Sequence, residues 1–105
     1  MTQNKQSVLV ACHDAGGAEV VSAYIKQNEQ NYHFISYVAG PAVHIFRKKQ
    51  IPAKVIAVDA FIINEIYDSI ANLSSVLIGT GWVTPFELLF LNKAKAKRIK
   101  VMAYL

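Results

Sequence analysis

"SVLVACHDAGGAEVVSAYIKQN", Ser7–Asn28, decides how the whole chain is read. Its opening stretch, Ser7–Cys12, is apolar or small at every position and does not alternate. That pattern suits a parallel strand buried on both faces. After the turn "HDAGG", Gly17–Asn28 carries Val20, Val21, Tyr24 and Ile25 at helical spacing, which predicts an amphipathic helix. Strand, small-residue turn and helix together make the first step of a βαβ unit.

The same alternation continues along the chain. Tyr32–Ala39 reads as a second strand, ended by Gly40-Pro41, and Ala42–Lys49 as a short helix stopped before Pro52. Ala53–Val58 reads as a third strand. Asp59 is placed to cap a helix over residues 60–73, with Ile62, Ile66, Ile70 and Leu73 on its inner face. Ser74–Gly79 is a fourth strand, Thr84–Lys97 a fourth helix and Ile99–Leu105 a fifth strand. Right-handed crossovers then predict a three-layer, doubly wound α/β domain with a mainly parallel five-stranded sheet in the order 3-2-1-4-5. In that order the topological switch lies between strands 1 and 4. Ligands of such sheets bind beyond the carboxyl ends of the strands at that point. The loops bordering it are His13–Gly17 and Gly79–Trp82.

Composition excludes several classes. With 105 residues, 53% hydrophobic and 17% charged, the chain fits one folded domain rather than a disordered segment. No apolar run is long enough for a membrane span, and "MTQNKQ" lacks the layout of a signal peptide. One cysteine, Cys12, forms no internal disulfide, so a cytoplasmic location is expected. The net charge of +4 gathers in Arg47–Lys49 and in Lys93, Lys95, Lys97, Arg98 and Lys100. Both clusters fall where helices are predicted to end, which suits the helix dipole. They also offer a surface for peripheral membrane contact. No aromatic residues interleave with the second cluster, so specific nucleic-acid binding is not expected.

Chemistry concentrates in the two switch-point loops. His13 is a candidate general base, with Asp14 orienting it or binding a hydroxyl. Gly16 and Gly17 allow positive φ or close backbone approach ahead of a helix N-terminus. The competing reading makes Asp14 a helix cap, the glycines a turn and His13 a bystander. In the other loop, Thr80, Gly81 and Trp82 are candidate ligand contacts. Thr84, Pro85 and Glu87 have the spacing of a capping box, which favours Glu87 as a cap over a catalytic acid. His33 and His44 have no partners at metal-ligand spacing, so no metal site is expected. The dinucleotide and P-loop fingerprints are absent. A phosphoacceptor site fits Asp14, Asp59 and Thr80 only loosely, lacking a second acid after strand 1 and a lysine after strand 5.

The stretches "ACHDAGGAEVVSAYI" (11–25), "GPAVHIF" (40–46) and "GTGWVTPFELLFLNKAKAKRIKVMAYL" (79–105) resemble the N-terminal half of bacterial sugar-nucleotide enzymes of the GT-B glycosyltransferase type, especially members associated with polysaccharide biosynthesis. The resemblance implies a Rossmann-like domain facing a second one across a cleft, with this half on the acceptor side. It would place His13, Asp14, Gly16 and Gly17 near the transferring sugar and Thr80, Gly81 and Trp82 on the facing wall. His13 or Asp14 would be the base, with nucleotide-sugar and glycan acceptor as substrates and no metal or other cofactor. Sugar-nucleotide 2-epimerases share this architecture and remain an alternative. So does a non-catalytic binding or assembly module pairing through the apolar helix 84–97, whether to a second domain or to another copy. The chain ends on the apolar strand "VMAYL", which leads to the expectation that it is the N-terminal half of a longer protein.

Overall fold

A computed structural model describes residues 5–57, 59–79 and 85–104. The elements are β1 (Gln6–Cys12), α1 (Ala15–Asn28), β2 (Tyr32–Val38), α2 (Ala42–Lys48), β3 (Lys54–Val55), α3 (Ala60–Ser69), β4 (Leu73–Gly79), α4 (Pro85–Ala96) and β5 (Lys100–Tyr104). The five strands form one sheet in the order β3-β2-β1-β4-β5, and every pairing is parallel. The predicted topology is therefore the one observed, that of a Rossmann-like α/β domain.

β1 runs through the centre. Val8, Val10 and Cys12 point to the layer built by α1 and α2, where they meet Ala18, Val21, Ile25, Ala42 and Phe46. Leu9 and Ala11 point the other way, towards Ile63, Ile66, Tyr67, Phe86, Phe90 and Ala94 of α3 and α4. Two apolar faces on one strand explain its continuous hydrophobic run.

Several boundaries differ from the sequence reading, each for a local reason. α1 begins at Ala15 rather than Gly17, because the Asp14 carboxyl caps it. Its inner face is Ala18, Val21, Ser22 and Ile25, and Val20 is exposed. β3 is only Lys54–Val55, since only Tyr37 and Val38 of β2 pair with it; Val58 lies outside the described residues. Asp59 caps α3 as expected, accepting the Ile62 N–H at 2.9 Å. That helix stops at Ser69 and buries Ile63, Ile66 and Tyr67; Leu73 opens β4 instead.

α4 spends most of its apolar surface inside the domain. Phe86, Phe90 and Ala94 are buried, Leu89 and Leu91 pack against the same core, and Leu88 is exposed. Tyr67 Oη donates to the Phe90 carbonyl at 2.6 Å and ties α3 to α4. The basic residues expected at helix ends are there: Arg47 and Lys48 in the last turn of α2, Lys93 and Lys95 in that of α4. Among the described residues no helix is long and apolar enough to cross a membrane.

Candidate functional site

The carboxyl ends of the strands are in register: Cys12 of β1 stands opposite Val38 of β2 and Gly79 of β4. The segments that follow β1 and β2 therefore emerge side by side, next to the switch point between β1 and β4. His13 is the first residue past β1, and three elements fix it. Its N–H donates to Glu87 Oε2 of α4 at 2.9 Å. Its carbonyl accepts the Ala42 N–H of α2 at 2.9 Å. Its ring lies over Gly40, where an added Cβ would come within 2.6 Å of the imidazole, and its centroid is 6.1 Å from that of Phe86. The residue is half-buried. A histidine held through its N–H, its carbonyl and its ring keeps one place at the end of β1 rather than swinging in solvent.

Asp14 is engaged differently. Its Oδ2 accepts the Gly17 N–H at 3.0 Å and its carbonyl the Ala18 N–H at 3.1 Å, so it is the N-cap of α1. Asp14→Ala is expected to cost about 1 kcal/mol of stability, and Asp14→Asn much less, because asparagine caps about as well. Urea titration of the three proteins checks this.

The two loop glycines separate by role. Gly17 brings α1 against β4: a Cβ there would stand 2.6 Å from the Gly79 carbonyl carbon. Gly16 is exposed, and its added Cβ would meet only Asp14 Oδ2 at 3.5 Å. Both lie in α1, and the described glycine with positive φ is Gly40, at 58°. Close approach, not positive φ, is thus the use made of Gly17. Thr80, Gly81 and Trp82 lie outside the described residues, as does Thr84 of the proposed capping box.

Cys12 is a core residue, and its thiol is pushed up to about 12 by burial, with a smaller push from Glu87 and Asp14 and a backbone hydrogen bond at Gly79 opposing both. A thiol so placed stays protonated and unreactive near neutral pH. His33 is exposed on β2 and His44 is exposed on α2. Among the described residues no group of His, Cys, Asp and Glu is arranged to hold a metal ion.

The sequence alone does not link Gly40, Phe86 and Glu87 to His13: it gives Gly40 as a strand end, Phe86 as part of an apolar helix and Glu87 as a cap favoured over a catalytic acid. The available signal was topological: an acid and an aromatic in the first turn after strand 4 stand beside the switch point.

The fold is that of a doubly wound, Rossmann-like α/β domain, with His13 and Asp14 just past the carboxyl end of β1. No protein-family model matches the chain, nor does any curated protein match it significantly.

Proposed function

We propose that this chain is the acceptor-side domain of a glycosyltransferase-like enzyme that moves a sugar from a nucleotide donor onto a glycan precursor. The observation that supports it best is the held, half-exposed His13 imidazole at the switch point of the sheet. In this reaction the acceptor hydroxyl oxygen bonds to the anomeric carbon as the bond from that carbon to the diphosphate breaks. The hydroxyl proton passes to the His13 imidazole, and the nucleoside diphosphate leaves. A second domain across the crevice supplies most of the donor contacts, with Thr80, Gly81 and Trp82 of this chain, by the resemblance, on the facing wall. Exposed Gly16 lets the start of α1 approach the substrate, Gly17 seats that start on β4, and Asp14 keeps it capped.

The test is made on the intact protein with a panel of UDP-, GDP- and dTDP-sugars and a glycan acceptor, following release of nucleoside diphosphate. His13→Ala is expected to lower kcat by about 100-fold to 10,000-fold, the usual contribution of a positioned base. Unchanged transfer in that variant would remove the assignment. Interconversion of the sugar without an acceptor would instead identify an epimerase.

A further inference from the structure

We infer that Glu87 is a positioning residue for His13, holding its backbone so that the imidazole keeps one place at the mouth of the crevice. Its catalytic meaning rests on the reading of His13 as the base; its structural meaning does not. Glu87 sits in the first turn of α4 and is 0% exposed, between Phe86 and the buried Phe90 one turn on. A carboxyl group in such surroundings is costly unless its oxygens are hydrogen-bonded. Oε2 takes the His13 N–H at 2.9 Å, a contact spanning 74 positions of sequence.

That N–H lies one residue past the last ladder pair between β1 and β4, Cys12 opposite Gly79. The described sheet pairing with β4 ends there, and the α4 side chain takes over. A helix cap alone needs no contact with the turn between β1 and α1. This carboxyl reaches that turn, and the group it holds is the main chain of the one residue whose ring is set between Gly40 and Phe86. Phe86 is the neighbour of Glu87 on the same helix, so α4 controls both the backbone and one side of the ring. Displacing residue 13 carries the imidazole away from both supports. A displacement of about 1 Å at a catalytic group costs on the order of 100-fold in rate.

The experiment is NMR on the full chain, reading the His13 amide and imidazole resonances and amide hydrogen exchange. In the wild type the His13 amide is expected to exchange about tenfold or more slowly than a free amide. Free exchange there would overturn the proposal. Glu87→Ala removes the acceptor: the amide is expected to exchange about tenfold faster than in the wild type, and the ring resonances to shift and broaden. Glu87→Gln keeps an acceptor oxygen and is expected to restore both. A folded Glu87→Ala protein with His13 signals unmoved would sink the idea. Should that variant not fold, Glu87→Gln decides: a protected His13 amide supports the bond, and a freely exchanging one overturns it. In the transfer assay Glu87→Ala is expected to lower kcat by about 100-fold with KM little changed, and Glu87→Gln to recover most of it. The NMR readout requires no turnover, so failure of the transferase reading and failure of the positioning role are separately visible.

Discussion

Phe90→Ala is expected to destabilise the domain by about 3–5 kcal/mol, the range for removing a fully buried phenylalanine. Phe90 is 0% exposed, its ring centroid 5.3 Å from Phe86 and 6.1 Å from Tyr37. Truncation takes away the ring that fills the space between those two and leaves a cavity under the centre of α4. A small domain has only about 5–15 kcal/mol in total, so this single change consumes a large share. Thermal unfolding should report a drop in Tm of about 15 °C or more. The Tyr67 bond to the Phe90 carbonyl does not offset the loss, because it contacts backbone and survives the substitution only as far as α4 keeps its place. The matched control is Leu88→Ala on the exposed side of the same helix, expected to fall within about 0.5 kcal/mol of the wild type. Equal effects at the two positions would mean that α4 does not pack as described.

Gly17→Ala comes next, at about 3 kcal/mol destabilising, against a gain of about 0.5–1 kcal/mol for Gly16→Ala. The two residues are neighbours in one helix, where alanine is intrinsically preferred to glycine. Space alone separates them. At Gly17 the new Cβ meets the main chain of Gly79 at 2.6 Å and 2.9 Å, and backbone of a central strand cannot swing aside as a side-chain end can. α1 must lift from β4 to make room, which opens the crevice that the helix start borders. At Gly16 the new Cβ points into open space apart from Asp14 Oδ2 at 3.5 Å. Denaturant titration of the two variants side by side should give shifts of opposite sign. Shifts of the same sign would show that the α1–β4 approach is looser than the backbone geometry implies.

These two sites also show which parts of the molecule could be read directly. Sheet order followed from the alternation of buried strands and helices, because parallel strands require crossovers and crossovers have one hand. The Asp59 cap and the helix start at Pro85 followed from local chemistry that needs no distant partner. The Asp14 cap was visible only as one of two readings, since an aspartate before a glycine pair serves a cap and a ligand loop equally well. Helical faces were less legible. On α3 the isoleucines at 62, 63, 66 and 70 support more than one stripe, and the sheet selected 63 and 66 with Tyr67. β3 shrank to two residues because strand propensity alone does not supply a partner along the whole edge of β2.

The sequence by itself therefore determined the fold class and the strand order, through hydrophobic periodicity and the handedness of crossovers. It also singled out His13, Asp14 and Gly17, which lie between the end of β1 and the first turn of α1. Tertiary structure alone decided what each of them does there. Asp14 turned inward to α1, Gly17 became the contact between α1 and β4, and His13 was placed on Gly40 beside Phe86 with its N–H on Glu87. The physical reason is separation along the chain: Glu87 and His13 are 74 positions apart, and no local preference of either residue encodes the other. Their bond exists because stacking α4 on the Leu9 and Ala11 face of β1 brings a buried acceptor to an N–H at the end of the strand ladder.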